Sequence, residues 1–213
     1  MQTHAMHLMR SLAGQVAFSH VVTSRDSTGA RFTESHGITV IRTPSWNVDG
    51  SLAISPRLVG EYRSLNKQLA FDVIHLHFPD PMAHLASLAL PRSIPRVITW
   101  HADITRHKLL LAFYRPWLKA AIKSASAIIV PTPAHITSSR FLDSERDDPK
   151  IKVIPFGFDL GAFSSEHAQT ANLKAKYPGP LIFSLGRHVS YKGVDVLIRA
   201  MRDLPVGVQL LLG

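Results

Sequence analysis

One glycine-rich turn near the end of the chain has the residue types and spacing of a phosphate site. The apolar run Leu181 to Leu185 is followed by Gly186-Arg187, a short loop and Lys192-Gly193. A strand that ends in a glycine turn and leads into a helix is suited to holding a phosphate, because free backbone N–H groups and fixed cations converge there. Gly186, Arg187 and Lys192 are therefore candidates for binding a diphosphate.

A group of histidines at the ends of two predicted strands forms a second candidate site. His75 and His77 are two positions apart and so share one strand face, while His101 ends the next strand and is followed by Asp103. The carboxyl ends of neighbouring parallel strands are where α/β enzymes gather catalytic groups. We interpret His75 as a buried, hydrogen-bonded histidine and His101 as the catalytic candidate, oriented by a neighbouring polar group.

The same side chains allow a different chemistry. A His-x-His strand followed by a further His and an Asp can supply metal ligands, so His75, His77, His101 and Asp103 could form a metal-dependent hydrolase site. The chain contains no cysteine, which excludes disulfides, zinc-thiolate sites and a thiol nucleophile. The metal-hydrolase interpretation stays open on these residues alone.

A basic stripe marks one predicted helix. Arg115, Lys119 and Lys123 recur every four residues, with Trp117 nearby, and the formal net charge of the chain is +9. A helix of this kind is suited to an anionic membrane surface, although a solvated helix face has the same pattern. The basic residues fit no helix-turn-helix, RRM or zinc-finger pattern, so we expect no nucleic-acid partner.

The elements that must position these residues alternate along the chain. Most strand candidates are continuous apolar runs, typical of strands buried on both faces of a parallel sheet, and the segments between them are long enough for helices. The candidates are residues 16–23, 37–42, 72–77, 96–101, 127–130, 152–154, 181–185 and 208–212. Predicted helices include one from Thr132-Pro133 to about Leu142 and one from Lys192 to Arg202, while Pro116 predicts a kink or two short helices between Arg106 and Ser124.

The chain length and a segment with proline and glycine predict two domains, of which the second is incomplete. The segment Ile154 to Asp159 contains a proline and a glycine at the end of a strand, so we place a boundary between residues 1–155 and residues 156–213. The second part, with two or three strands, is too small for an independent α/β domain. The first part begins in a helix where a strand is expected. The longest apolar stretch, Leu109 to Tyr114, is far shorter than the roughly 20 residues that cross a bilayer, so we expect a cytoplasmic protein.

Five segments in this order carry a family resemblance. DVIHLHFPDP, VITWHADI, SASAIIVPTPAHITSS, VIPFGFDLGAF and FSLGRHVSYKGVDVLIRAM together resemble the retaining glycosyltransferases of family 4. The resemblance implies a GT-B fold, an α/β architecture of two Rossmann-like parallel-sheet domains. The second of these is expected to be truncated here, and the first is expected to lack its first strand. It also implies transfer of a hexose from a nucleotide diphosphate sugar, GDP-mannose or a UDP-sugar, to a polysaccharide or lipid-linked acceptor with retention.

The resemblance assigns roles to the candidate residues. Arg187 and Lys192 would hold the donor diphosphate without a metal or other cofactor, and His101 would contact the donor sugar with Asp103 beside it. His4 and His77 would lie on the acceptor side. The basic, aromatic surface with Arg115, Trp117, Lys119 and Lys123 resembles the membrane-docking face of family members that act on lipid-linked acceptors, which implies peripheral attachment to the inner face of the plasma membrane. A non-catalytic fragment of such an enzyme is the alternative.

Overall fold

A computed structural model describes residues 2–17, 19–23, 30–33, 38–48, 52–105, 108–158, 160–163, 172–173, 175–186 and 188–213. They divide into two compact units, Met1–Gly157 and Phe158–Gly213. The helices of the first unit are α1 (Gln2–Ser11), α2 (Arg57–Leu69), α3 (Pro81–Ser87), α4 (Lys108–Ser124) and α5 (Ala134–Thr137). Its strands are β1 (Ser19–Thr23), β2 (Ala30–Thr33), β3 (Thr39–Thr43), β4 (Trp46–Val48), β5 (Leu52–Ile54), β6 (Ile74–Phe78), β7 (Arg96–Trp100), β8 (Ala127–Val130) and β9 (Ile151–Val153).

A four-stranded parallel sheet of order β6-β7-β8-β9 positions the histidines. Along β6 the apolar side chains of Ile74, Leu76 and Phe78 are buried, whereas His75 and His77 on the opposite face are partly exposed. The buried residues join a core that includes Trp100 of β7 and Leu118 of α4. The parallel α/β class predicted from the apolar runs is therefore confirmed.

The remaining strands of the first unit depart from the all-parallel expectation. β1 pairs in parallel with β3, as the apolar runs suggested, but β2 pairs antiparallel with β3. β4 and β5 form a separate antiparallel hairpin. These three short strands were not predicted, because their segments lack the continuous apolar runs on which the prediction relied.

The structure corrects two helix predictions. Of the kink or two short helices predicted at Pro116, the two short helices are not found, since helix α4 is continuous through Pro116. Proline leaves the carbonyl of residue i−4 without a helical donor, and here that residue, Ala112, lies with Pro116 on the exposed side of the helix, where water can satisfy it. Helix α5 ends at Thr137, well before the predicted end at Leu142. A short 3-10 segment follows at Asp143–Glu145.

Helix α3 begins with a side-chain cap. The backbone N–H of Ala83 donates to Oδ1 of Asp80 at 3.0 Å, and Pro81 occupies the first turn. Both features are favourable at a helix N-terminus, where the first N–H groups have no helical acceptor. The peptide bond between Phe78 and Pro79, just before this cap, is cis. The cap at Asp80 therefore defines the start of helix α3.

The described part of the second unit includes a parallel pair of strands with a helix between them in the chain. β10 (Leu181–Ser184) pairs in parallel with β11 (Gln209–Leu212), and α6 (Val194–Ala200) lies between them in the chain. A 3-10 turn at Ser190–Lys192 precedes α6, and Gly193 then adopts a left-handed conformation with φ 65°. The predicted helix start at Lys192 is thus two residues early. Among the described residues of both units, no helix is long and apolar enough to span a membrane.

Candidate functional site

The carboxyl ends of β6 and β7 bring the predicted histidines together. In the register of the two strands His77 lies opposite Thr99, and the backbone N–H of His101 donates to the carbonyl of Phe78 at 3.0 Å, which continues the ladder one step past β7. Nδ1 of His77 then lies 3.1 Å from Nε2 of His101, at hydrogen-bond distance. The prediction that His101 stands at the end of the sheet beside the His75 and His77 face agrees with this geometry.

His75 is hydrogen-bonded as the sequence indicated. Its Nε2 lies 2.7 Å from Oγ1 of Thr99, and its ring stacks on that of His77 with centroids 4.7 Å apart. Burial lowers the pKa of His75 to about 4, with a smaller contribution from the charge of His4. His75 therefore stays neutral near pH 7 and supports His77 from one side.

Two further rings surround His101. His4 of α1 lies with its ring centroid 5.5 Å from that of His101, and Phe156, which follows β9, lies 5.0 Å away. The rings of His4 and Phe156 are themselves 4.1 Å apart. His4 and His77 were both expected on the acceptor side, and both lie in this cluster of rings. Phe156 was not predicted as a site residue, because the proline and glycine of its segment indicate a domain boundary.

The environment of His101 keeps it neutral. Burial is the largest cause that lowers the pKa of His101 to about 4, and the neighbouring His4 and His75 lower it further whenever they carry a proton. Burial also lowers the pKa of His4. A neutral imidazole can both donate and accept one hydrogen bond, which suits it to contact a polyhydroxylated ligand.

Asp103 holds the segment after β7 in place. Its Oδ1 accepts hydrogen bonds from Nε1 of Trp100 at 3.0 Å and from Oγ of Ser139 at 2.7 Å, and its Oδ2 accepts from the backbone N–H of Arg140 at 2.9 Å. The carboxylate thus ties the loop that follows His101 to the turn after α5. The sequence placed Asp103 beside His101 as a catalytic partner, whereas its contacts are those of a residue that fixes the loop.

The metal-hydrolase alternative is not supported by this arrangement. The carboxylate of Asp103 is directed to Trp100, Ser139 and Arg140, and Nε2 of His101 is directed to His77. Within the described residues, no group of three or more His, Cys, Asp or Glu side chains could hold a metal ion. The His-x-His spacing was misleading because residues on one strand face can stack on each other without converging on a common point.

The candidate diphosphate residues lie in the second unit. Gly186 extends the pairing of β10, since its N–H donates to the carbonyl of Gly213 at 2.9 Å. Lys192 ends the 3-10 turn, and its side chain is exposed. Arg187 lies outside the described residues. The strand, glycine turn and helix expected around this motif are present in that order.

Helix α4 presents the predicted basic residues on its exposed side. Arg115, Lys119 and Lys123 are all exposed, whereas Tyr114 and Leu118 are buried in the core. The exposed side also carries an apolar strip beside the cations, formed by Leu109 (81% exposed), Phe113 (75%) and Trp117 (50%). A shallow groove on this side is lined by Ala112, Arg115, Pro116 and Lys119. The helix therefore combines cations and exposed aromatic rings on one surface.

Comparison with known proteins gives a consistent family. A family model described as Glycosyltransferase Family 4 matches residues 1–162. The D-rhamnosyltransferase WbpZ of Pseudomonas aeruginosa is 31% identical over 138 residues, which are 63% of this chain and 36% of that protein. The O-antigen chain mannosyltransferase C of Escherichia coli is 28% identical over 130 residues, or 61% of this chain and 34% of that protein. The chain spans about a third of the length of these curated relatives.

Solved structures show the same fold. The Anabaena protein Alr3699/HepE, crystallised with UDP and glucose, superposes with a TM-score of 0.61 at 22% identity, over 83% of this chain and 48% of that protein. A second crystal structure of the same protein, with UDP-glucose, gives a TM-score of 0.61 at 21% identity, over 83% of this chain and 47% of that protein. At this identity the likeness concerns the fold, an α/β architecture with parallel sheets of the GT-B glycosyltransferase type.

Proposed function

The chain belongs to glycosyltransferase family 4, and from this premise we propose that it transfers a hexose from a nucleotide diphosphate sugar to a polysaccharide or lipid-linked acceptor, with retention of configuration. The observation that carries the proposal is the placement of His101. Its ring stands at the carboxyl end of β7, on a backbone fixed by the ladder to β6, and it is neutral near pH 7. The carboxyl ends of parallel strands are where α/β proteins bind ligands.

In the proposed reaction His101 contacts the sugar that is transferred. A sugar hydroxyl group both donates and accepts hydrogen bonds, so a neutral imidazole matches it without the cost of burying a charge. Asp103 fixes the loop that follows His101. We assign His4, whose ring lies 5.5 Å from that of His101, to the acceptor side. His77, which the sequence placed on the acceptor side, contacts the ring of His101.

Gly186, Arg187 and Lys192 bind the donor diphosphate in this proposal. Negative charge grows on the diphosphate as its bond to the sugar breaks, and fixed cations stabilise that charge in the transition state. The lysine lies at the end of the turn that leads into α6, and the glycine ends the strand. We assign no metal to the reaction, since the two cations supply the charge that a divalent ion supplies in other enzymes.

The relatives narrow the donor and the acceptor within this proposal. The two curated relatives are named for rhamnosyl and mannosyl transfer, one of them to an O-antigen chain, while the solved neighbour holds UDP and glucose. We expect a 6-carbon sugar of the mannose type on GDP as the first donor to test and UDP-glucose as the second. A bacterial-type surface polysaccharide under assembly on a lipid carrier is the acceptor class that these names favour.

Helix α4 is the part of the chain that we propose docks on an anionic membrane. Leu109, Phe113 and Trp117 form an apolar strip that can enter the interface, and the adjacent cations can bind lipid phosphates. Each cation near an anionic surface contributes about 1 kcal/mol at moderate ionic strength. Docking of this kind would place the protein as a peripheral protein at the cytoplasmic face, next to a lipid-linked acceptor.

Calorimetric titration of the protein at its full natural length with GDP and with UDP tests the diphosphate assignment. Arg187→Ala and Lys192→Ala are each expected to weaken nucleotide diphosphate binding about 10- to 100-fold, the effect of losing a charge-assisted hydrogen bond. Arg202→Ala, which removes an exposed cation from the same unit, is the matched control and should leave affinity unchanged. If Arg187→Ala and Lys192→Ala bind the nucleotide diphosphate as tightly as the Arg202→Ala control, the assignment is excluded.

A further inference from the structure

The hydrogen bond between two imidazoles limits how His101 can meet a ligand. Nδ1 of His77 and Nε2 of His101 are 3.1 Å apart, and a contact of this kind between neutral rings requires one proton between the two nitrogens. Nε2 of His101 is therefore occupied by His77 in either tautomer. The protonation states of the two rings are coupled, because moving the proton on one ring requires a matching change on the other.

The other ring nitrogen of His101 remains accessible. Among the residues that the structure describes, Nδ1 of His101 has no hydrogen-bond partner, and it is not one of the buried unpartnered nitrogens. This nitrogen therefore reaches solvent. The rings of His4 and Phe156 pack beside the ring of His101, with centroids 5.5 and 5.0 Å from it.

The position of His77 is itself determined by the sheet. Its ring stacks on His75 at a tilt of 20°, and His75 is anchored to Thr99 through a hydrogen bond of 2.7 Å. Thr99 lies opposite His77 in the register of β6 and β7. The contact to His101 thus rests on paired strand residues and on two stacked rings, all within the first unit.

We propose that His77 is a positioning residue that holds Nε2 of His101 and so presents Nδ1 to the transferred sugar. This inference rests on the transfer reaction proposed above. It changes the part of His77 from a contact with the acceptor to the orientation of the ring that contacts the sugar. The chemistry it supplies is one hydrogen bond that leaves Nδ1 as the nitrogen facing the sugar and couples the tautomer of His101 to that of His77.

Two variants of similar shape distinguish the effect of the hydrogen bond from His77 from the effect of its packing. His77→Asn keeps an amide group close to the position of Nδ1, whereas His77→Leu has a similar outline without a polar atom. The ¹⁵N shifts of the His101 ring at pH 7 report its tautomer in the ¹⁵N-histidine-labelled chain, with His101→Gln to assign the signals. Wild type is expected to show one protonated and one unprotonated nitrogen, His77→Leu averaged shifts, and His77→Asn shifts closer to wild type. Unchanged His101 shifts in His77→Leu would overturn the proposal.

Kinetics of the protein at its full natural length give the second readout. His77→Leu is expected to lower kcat about 10- to 100-fold with little change in the donor KM, as for a misplaced catalytic group, and His77→Asn to recover part of the loss. An increase in acceptor KM at unchanged kcat would instead assign His77 to acceptor binding and overturn the proposal. The NMR comparison does not depend on transfer activity, so a failure of the proposed function and a failure of the positioning role are distinguishable.

Discussion

Nδ1 of His84 lies 2.7 Å from the hydroxyl of Tyr114, which joins helix α3 to helix α4 through a buried hydrogen bond. His84 is only 5% exposed, and its Nε2 is buried without a partner in the described structure. Burial lowers the pKa of His84 to about 4 from an ordinary value of 6.5, and the charge of Arg96 lowers it further. Helix α4, with its exposed basic and aromatic side, is therefore anchored at a group that tolerates no added proton.

The first prediction concerns the stability of the chain in acid. Since the pKa of His84 is lower in the folded than in the unfolded state, the unfolded chain binds the extra proton between pH 6.5 and about 4. The contribution of His84 is fully present above pH 6.5 and is lost as the pH falls toward 4, by about 3 kcal/mol. Urea denaturation across this range measures it. His84→Asn keeps a polar group near Tyr114 but does not titrate, so the acid loss should be smaller, and an identical pH dependence would contradict the assignment.

Asp103 gives the second prediction. Asp103→Asn replaces one acceptor oxygen by an N–H₂ group, which must face a donor from Trp100, Ser139 or Arg140. We expect a loss of about 1 to 3 kcal/mol in the free energy of unfolding, measured by urea denaturation. The matched control is Asp147→Asn, the same chemical change on a fully exposed carboxylate, with an expected effect of less than about 0.5 kcal/mol. Equal effects of the two variants would show that the carboxylate does not hold the loop.

The third prediction concerns the proposed membrane surface of α4. Phe113→Asp is expected to reduce co-sedimentation with vesicles of anionic phospholipid about 10-fold or more, because it removes an inserted ring and adds a like charge. Trp46→Asp is the matched control, since Trp46 is 67% exposed on β4 and the proposal gives it no part in docking.

The charge contribution of α4 is tested in the same assay. Lys119→Glu with Lys123→Glu should weaken vesicle binding more than Lys67→Glu with Lys152→Glu, which change the net charge by the same amount elsewhere on the first unit. Equal losses in the two double variants would indicate a general charge effect and would argue against docking through α4.

The fourth prediction concerns metal dependence. The proposal has Arg187 and Lys192 stabilise the negative charge of the departing diphosphate. The rate of sugar transfer by the protein at its full natural length is therefore expected to stay unchanged after treatment with EDTA. Rates before chelation, after it and after addition of Mg²⁺ or Mn²⁺ provide the measurement. A rate that is abolished by EDTA and restored by one of these ions would refute metal independence.

The strands that carry the site were predictable because burial on both faces leaves a strong signal. Continuous apolar runs located β6, β7 and β8 to within two residues, and the two-residue spacing of His75 and His77 placed both on one face. The short strands β2, β4 and β5 were missed, since their pairing depends on neighbouring strands and less on their own composition.

The contacts within the site were harder to predict from the sequence than the residues that form it. His84 and Tyr114 are 30 positions apart, and Asp103 and Ser139 are 36 apart, so no local pattern indicates that they meet. Asp103 was identified as important, but two of its three hydrogen-bond partners, Ser139 and Arg140, come from the turn after helix α5. Phe156 could have been noticed as an aromatic residue directly after a strand end, at the edge where the histidines collect.

The pairing of His101 with Phe78 has a consequence for how the site can diversify. Because the amide of His101 belongs to the β6–β7 ladder and Asp103 ties the following loop to Arg140, the backbone on both sides of the imidazole is fixed by contacts that do not involve the residues directly after Asp103. Changes in the short stretch that follows Asp103 can therefore alter specificity without displacing the backbone that carries the imidazole. Related chains could acquire new specificities by varying this short stretch alone, and exchanging it between relatives is a practical route to redesign.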